Sequence, residues 1–257
     1  MTELLKLHAV SRRFGGLQAL QNVTLTVGAG EVLGLIGPNG AGKTTLVNVI
    51  TGVHPATDGQ VIYQGSDISR LKPYQTARLG LARTFQIVQP FPDLTVLDNV
   101  SAAALFSRSG SSIRQAQEFA RKQLEFVGLT AQVNAPAASL TLAMRKRLEL
   151  AKALAMQPKL LFLDEVNAGL NSAEVEQAMS LIKKIAATGT TIVLIEHLMK
   201  VVVTVCSRIV VLHNGQLISE GDPRQVVHDP KVVEAYLGQR YSQAAKDHLK
   251  NAEVSHD

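Results

Sequence analysis

The amino-acid sequence predicts an α/β fold with a parallel sheet, an N-terminal antiparallel β part and an inserted α-helical subdomain. Short β-rich runs alternate with glycine-containing turns over residues 1–36. Two later runs, KLLFLDE (159–165) and TTIVLIEH (190–197), are continuously apolar up to their acidic ends, as is typical of central parallel strands covered on both faces. Between these strand-rich parts, residues 93–157 carry helical spacing.

The N-terminal elements can be taken in order. LLKLHAV, VTLTV and EVLGLIG predict strands that lead into a core strand at 31–36. GPNGAGKTTLVNVITG (37–52) then changes from a glycine-rich loop into an apolar-periodic helix. GQVIYQGSDIS (59–69) predicts a hairpin.

The middle and C-terminal elements follow the same logic. LTVLDNVSAAALF, SIRQAQEFARKQLEFVGL and MRKRLELAKALAMQ predict helices, with Gly128 and Pro136 as breaks. SAEVEQAMSLIKKIAATG predicts a helix that joins the two buried strands into a βαβ unit. Asn214-Gly215 predicts a second hairpin.

This order of elements predicts one domain with an insertion. The domain spans residues 1–240; its core is formed by 1–92 and 158–240, and the helical subdomain by 93–157. The polar tail, 241–257, is expected to fray.

The composition fits an ordinary globular protein. Of its 257 residues, 46% are apolar and 18% charged. The net charge of +5 is mild and spread along the chain, so no nucleic-acid partner is predicted. The basic cluster RKR (145–147) is expected to be a solvated helix face.

Cys206 is the single cysteine, so neither an internal disulfide nor a cysteine-based zinc site can form. Its apolar neighbours favour a buried thiol, which fits a reducing cytosol. The stretch MTELLKLHAVSRRF lacks the long apolar region of a signal peptide, so none is expected, and no stretch reaches about 18 uncharged apolar residues. If the protein works at a membrane, we expect a partner to hold it there.

The loop GPNGAGKTT predicts a phosphate site. It fits the pattern G-x-x-x-x-G-K-S/T between a strand and a helix, where backbone N–H groups form an anion-binding concavity. Lys43 would reach the β- and γ-phosphates and Thr44 would bind Mg²⁺. The alternative, a glycine-rich turn before a helix, is disfavoured by this context. The predicted nucleotide-binding residues are Gly37, Pro38, Asn39, Gly40, Ala41, Gly42, Lys43, Thr44 and Thr45.

Two further strand ends supply the chemistry that such a loop needs. Asp164 is placed to hold Mg²⁺ from the opposite side, and Glu165 to orient or deprotonate the attacking water. The alternative is an acidic pair that merely ends a strand. His197 can bond the γ-phosphate or be a packing histidine, and spacing alone leaves both open.

Taken together, these residues resemble the ATPase subunit of an ABC transporter over nearly the whole chain, which implies a P-loop NTPase core. By this resemblance Phe14 in RRFGG stacks on adenine, although it could be an ordinary apolar β residue. Gln86 in ARTFQIVQPF contacts Mg²⁺ and the water, with Gln89 as the alternative register. ATP and Mg²⁺ are the implied ligands.

The resemblance also assigns the strand ends. Asp164 falls on the Walker B aspartate, Glu165 on the catalytic glutamate and His197 on the switch histidine. Asn171 ends the D-loop, where many relatives have aspartate, and Val166 stands where the family often has proline.

FGGLQALQNV, RTFQ, DEVNAGLN, IEHLMKVV and VVEAYLG look most like the ATPases of branched-chain amino acid importers. Such importers combine two ATPase subunits, two membrane permease subunits and a solute-binding protein. ATPases for urea, short amides or other amino acids look alike at this level. The resemblance implies a peripheral protein on the cytoplasmic face of the membrane, dimerising with itself or a related chain.

The signature motif departs from the family's Leu-Ser-Gly-Gly-Gln. LTLAM (140–144) occupies the five positions, so that Thr141 keeps a hydroxyl and is a candidate N-cap, while both glycines and the glutamine are lost. Thr141, Leu142 and Ala143 are implied to contact the nucleotide of the opposite subunit.

Three interpretations of that motif remain open: a working ATPase, an asymmetric pair with one weak site, and a nucleotide-binding module without turnover. A soluble ABC ATPase of DNA repair or translation is the alternative function. It usually carries a long coiled-coil insertion or two ATPase units in one chain, and the sequence has neither.

Overall fold

A computed structural model describes residues 2–84, 90–106 and 112–237. Its strands are β1 (Glu3–Phe14), β2 (Leu17–Gly28), β3 (Val32–Ile36), β4 (Asp58–Tyr63), β5 (Ser66–Asp67), β6 (Leu81–Arg83), β7 (Leu160–Asp164), β8 (Thr191–Ile195), β9 (Arg208–His213) and β10 (Gln216–Gly221). Its α-helices are α1 (Lys43–Ile50), α2 (Pro73–Arg78), α3 (Val96–Leu105), α4 (Ile113–Phe126), α5 (Leu142–Ala155), α6 (Ser172–Ala187), α7 (Met199–Val205), α8 (Pro223–Val226) and α9 (Pro230–Leu237).

The strands form two sheets. An antiparallel sheet has the order β2-β1-β4-β5, and a six-stranded sheet has the order β10-β9-β3-β8-β7-β6. The second sheet is parallel except for the β9–β10 hairpin. The predicted parallel core and N-terminal antiparallel part are therefore confirmed.

The parallel sheet is buried on both faces. Strands β3, β7 and β8 are buried at every position. Because side chains alternate along a strand, Phe162 faces the antiparallel sheet and α1, while its neighbours Leu161 and Leu163 face the helices on the other side. This two-sided burial explains why the strands read as continuous apolar runs.

The register of the central strands decides where the site lies. Leu35 of β3 pairs with Ile195 of β8, and Ile195 pairs with Asp164 of β7. The carboxyl ends of these three strands therefore form one edge, and the segments that follow them begin side by side.

The predicted helices of the middle segment are present as α3, α4 and α5, and the βαβ unit as β7, α6 and β8. Both predicted hairpins are present. At the second, Asn214 and Gly215 have φ of 47° and 75°, as a two-residue hairpin turn requires. Sequence analysis did not predict α2, β6, α7, α8 or α9.

Cys206 is buried at the end of α7, as predicted, and burial raises the pKa of its thiol to about 12. It packs over β3, where a Cβ on Gly34 would lie 3.0 Å from its Sγ and 2.8 Å from Cγ2 of Ile209. Glycine in β3 thus lets α7 approach the sheet closely. Across the described ranges, none of the helices has both the length and the apolarity to cross a membrane.

Candidate nucleotide site

The phosphate loop connects β3 to α1 and needs glycine at two points. At Gly37, φ is 149° and a Cβ would lie 2.0 Å from the carbonyl oxygen of Leu212, so a side chain there would collide with backbone. Gly42 has a φ of 105° immediately before α1. The glycine spacing therefore follows from the loop's close packing against β9 and from its backbone conformation.

Lys43, the first residue of α1, is held back against the loop. Its Nζ donates to the carbonyl oxygens of Gly37 (2.6 Å) and Pro38 (3.1 Å). Burial lowers the pKa of Lys43, and the charges of Glu165 and Asp164 oppose that shift. The negative charges of both predicted carboxylates therefore act on the lysine.

Asp164 ends β7, is 5% exposed and is anchored by an arginine that sequence analysis missed. Arg83 of β6 donates to Oδ2 of Asp164 at 2.8 Å and to Oδ1 of Asn48, on α1, at 2.5 Å. The backbone N–H of Asp164 donates to Oγ1 of Thr84. These contacts fix the carboxylate relative to the helix that follows the phosphate loop.

Glu165 has a left-handed backbone with a φ of 47°, a conformation that costs a non-glycine residue about 1–3 kcal/mol. Its N–H donates to the carbonyl oxygen of Ile195 at 2.9 Å. Its own carbonyl oxygen accepts from the N–H of Ala168 (3.1 Å) and from Nζ of Lys146 (3.2 Å). The peptide of the predicted base is therefore fixed from three directions.

A cleft of about 550 Å³ collects much of the predicted site. The predicted residues that line it are Phe14, Asn39, Gly40, Ala41, Gly42, Lys43, Thr44, Thr45, Asp164 and Glu165. Sequence analysis missed the other lining residues, which are Leu17, Gln18, Ala19, Ile195, Asn214 and Gly215. Gly37 and Pro38 belong to the loop but do not line the cleft; their carbonyl oxygens accept from Lys43.

His197 follows β8 by two residues and is exposed; it is not part of the cleft lining. Gln86 and its alternative Gln89 lie outside the described residues. The structure therefore brings together the loop, Asp164 and Glu165, and does not add His197 to them.

Phe14 lies at the mouth of the cleft on the last residue of β1 and is 38% exposed. The guanidinium carbon of Arg12 lies 4.4 Å from its ring centroid. The ring of His54 meets it in a T-shaped arrangement, with centroids 5.2 Å apart. Arg12 and His54 do not line the cleft, so they support Phe14 from outside it.

The altered signature begins α5 as expected. Thr141 is the N-cap, and its Oγ1 accepts from the N–H of Met144 at 3.3 Å. Thr141 and Leu142 are exposed, and neither they nor Ala143 line the cleft that contains Lys43. A Cβ on Gly169 would lie 3.0 Å from Cδ2 of Leu142, so the signature packs beside the loop after β7.

The prediction that residues 145–147 form a solvated face is wrong for Lys146, which is 8% exposed. Burial lowers the pKa of Lys146, whereas the charges of Glu196 and Glu165 raise it. Arg145 is also occupied, donating to the carbonyl oxygens of Leu140 and Ala138 at 2.9 Å each. The sequence pattern could not show that Lys146 is bonded to Glu165, which follows β7, and is influenced by the charge of Glu196, which follows β8.

The segment that follows Glu165 begins and ends with the two residues that depart from the family pattern, Val166 and Asn171. Val166 is 7% exposed and packs into the core. Asn171 is the N-cap of α6, where its side chain accepts from the N–H of Glu174 and its N–H donates to the Glu174 carboxylate. The Asn171 side-chain amide therefore caps the N-terminus of α6.

The donors gathered here suit a hard cation. The Thr44 hydroxyl and the Asp164 carboxylate lie in one cleft beside the phosphate loop, and oxygen ligands of this kind are those that Mg²⁺ prefers. The residues therefore fit a magnesium ion bound together with phosphates.

Comparison with known proteins agrees with this geometry. Residues 20–168 match the family model of the ABC transporter, and residues 216–242 match that of the branched-chain amino acid ATP-binding cassette transporter. The high-affinity branched-chain amino acid transport ATP-binding protein LivG of Escherichia coli is 39% identical over 250 residues, covering 92% of this chain and 98% of LivG.

Solved structures show the same fold. An ATP-binding cassette of an ABC transporter in its ADP conformation is 33% identical, with a TM-score of 0.84 over 93% of this chain and 100% of that one. A dimeric cassette in a post-hydrolysis state, bound to ADP and Pi, is 27% identical, with a TM-score of 0.76 over 86% of this chain and 99% of that one. The chain therefore belongs to the ABC transporter ATP-binding family and is the ATP-binding, ATP-hydrolysing subunit of such a transporter.

Proposed function

We propose that this subunit drives the import of branched-chain amino acids or related small polar solutes from the cytoplasmic face of a membrane. The observation that carries its ATPase role is that one cleft holds the phosphate loop, Asp164 and Glu165 together. The C-terminal match at residues 216–242 and the similarity to LivG support this class of solute.

We propose the following roles for the site residues. The N–H groups of the loop and the Lys43 ammonium hold the phosphates, and Glu165 takes a proton from the attacking water. Thr44, Asp164 and Gln86 would hold Mg²⁺, which when bound neutralises phosphate charge. His197 bonds the γ-phosphate in the assembled state.

The signature is proposed to act on a second subunit's nucleotide. Thr141 and Leu142 are exposed and lie outside this chain's own cleft, which supports a head-to-tail dimer with a copy of the chain or a related ATPase. In this dimer Thr141, Leu142 and Ala143 offer a hydroxyl and backbone N–H groups at a helix N-terminus. Those backbone N–H groups are present in leucine and alanine as they are in glycine.

The proposed partners are integral membrane permease subunits and a solute-binding protein. We propose that residues 1–240 act as one unit, with residues 93–157 as the part that docks to integral membrane permease subunits. A solute-binding protein would act on the opposite side of the membrane, without touching this chain. Nucleic acid has no role in this scheme.

The solute assignment can be tested in the protein's own cells. Deleting the chain is expected to abolish uptake of radiolabelled leucine, isoleucine and valine, and re-supplying it should restore uptake. Re-supplied Lys43→Ala should not restore it, while Lys200→Ala, which changes an exposed lysine, should. Unchanged uptake of all three, with no membrane subunit co-purifying, would instead favour the soluble type of ABC ATPase.

Phe14→Ala is expected to weaken ATP binding by about 1–3 kcal/mol, the usual contribution of a base stacked on an aromatic ring. Binding of inorganic triphosphate, which has no base, should stay unchanged, and isothermal titration calorimetry can measure both. Leu17→Ala is the matched control, because Leu17 lines the same cleft and is exposed. Equal losses for ATP and triphosphate in Phe14→Ala would show that Phe14 does not contact the base.

A further inference from the structure

The backbone of Glu165 is held by one side chain from the helical segment. Two hydrogen bonds on its peptide groups join it to neighbouring backbone, at Ile195 and Ala168. A further bond, of 3.2 Å, comes from Nζ of Lys146, which lies on α5 five residues after Thr141. The helix that begins with the signature therefore reaches the residue proposed as the catalytic base.

Lys146 is buried, as are Asn167 and Glu196, each 1% exposed, and the negative charge of Glu196 acts on the lysine. Oε1 of Glu196 accepts from the backbone N–H of Asn167 at 3.2 Å and from its Nδ2 at 2.7 Å. Within the described part of the chain, Oε2 of Glu196 and Oδ1 of Asn167 have no hydrogen-bond partner. Two buried acceptors thus lie in the same region as a buried ammonium.

A buried lysine near a buried glutamate is expected to contribute little to folding stability. Burying a lysine and a glutamate carries a desolvation penalty that their attraction only partly offsets, and apolar replacements of similar volume are often as stable. What the ammonium supplies that an apolar side chain cannot is a donor to the carbonyl oxygen of Glu165. That carbonyl belongs to a residue in the left-handed conformation, which persists only when its surroundings fix it.

We propose that Lys146 is a positioning residue for ATP hydrolysis: it fixes the peptide of Glu165 so that the carboxylate stays aimed into the cleft. This inference rests on the proposed role of Glu165. Because Lys146 and the signature share α5, a movement of that helix changes the distance between the ammonium and the Glu165 carbonyl oxygen.

The test is steady-state ATP hydrolysis by the assembled complex carrying Lys146→Met. Misplacing a catalytic group by about 1 Å can slow a reaction by about 100-fold, so kcat is expected to fall by about 10- to 100-fold. KM for ATP and equilibrium ATP binding should stay within about 2-fold of wild type, because Lys146 does not line the cleft. Lys152→Met is the matched control, since it removes another lysine of α5 together with its ion pair to Glu149.

A second variant separates positioning from simple charge balance. Lys146→Met removes the positive charge that acts on the buried Glu196, and the thermal midpoint should fall. Lys146→Met with Glu196→Gln removes both charges and should recover the midpoint, but kcat should remain low because the donor to Glu165 is still missing. Recovery of kcat in that double variant would overturn the inference.

Combining Lys146→Met with Glu165→Gln tests whether Lys146 acts through Glu165. If Lys146 acts through Glu165, adding Lys146→Met to Glu165→Gln should change the residual rate by less than about 2-fold, whereas independent residues would add their effects. A full additive loss would overturn the inference. If Glu165→Gln itself hydrolyses ATP normally, the proposed role of Glu165 fails first; if only the Lys146 variants behave as wild type, this inference alone fails.

Discussion

Glu165→Gln is expected to lower the rate of ATP hydrolysis by about 10²- to 10⁴-fold, the usual contribution of a general base. The amide keeps the size of the side chain and leaves intact the backbone bonds to Ile195, Ala168 and Lys146. It cannot accept a proton from water near neutral pH. ATP binding should therefore remain close to wild type while kcat falls, and phosphate release by the assembled complex measures the change.

Glu174→Gln provides the control for this substitution. This substitution removes the same charge as Glu165→Gln, but at the capping box of α6, away from the nucleotide cleft. Its effect on kcat should be small and its effect on the thermal midpoint modest. Equal rates for wild type and Glu165→Gln would mean that another group activates the water.

Lys43→Ala is expected to weaken nucleotide binding and to slow turnover. A hydrogen bond from a charged group contributes about 1.5–3 kcal/mol, which corresponds to roughly 10- to 150-fold weaker ATP binding. Loss of a donor to developing charge would slow the chemical step by a further 10²- to 10³-fold or so. Calorimetric titration of ATP and the hydrolysis assay separate the two effects.

The control for Lys43 is Lys200→Ala, because Lys200 is exposed and its ion pair with Glu176 lies on the surface. That variant should bind and hydrolyse ATP as wild type does. Lys43→Arg is informative as well, since it keeps the charge but has a planar head that does not match the small space beside the Gly37 and Pro38 carbonyls. Full activity of Lys43→Ala would contradict the assignment of the loop.

Much of the fold was predictable because local pattern and final environment agree. The strands β7 and β8 are buried on both faces, so their sequences are continuously apolar and cannot be confused with half-exposed strands. The phosphate loop was predictable because glycine spacing follows from backbone collision at Gly37. The acidic strand end could be placed beside it because parallel strands present their carboxyl ends at one edge.

What could not be predicted depends on contacts between distant segments. The helix α7 (Met199–Val205) is rich in valine, which favours strands, and its helical form comes from packing over Gly34 rather than from propensity. Arg83 gives no signal in sequence, since its partners Asn48 and Asp164 are 35 and 81 residues away. In the sequence Lys146 is one charge of a basic cluster, and only the structure shows that it is buried and bonded to Glu165.

The pairing of β3 has a consequence for synthesis of the protein. Its neighbours in the sheet are β8 and β9, so that Val32 pairs with Ile192 and Leu33 with Arg208. At about 5–20 residues per second, a ribosome needs roughly 8 to 30 s to make the intervening chain. During that time the strand that carries the phosphate loop has no partner, and its apolar surface is open to chaperones or to aggregation. A nascent chain thus cannot form its ATP site until most of its length has emerged.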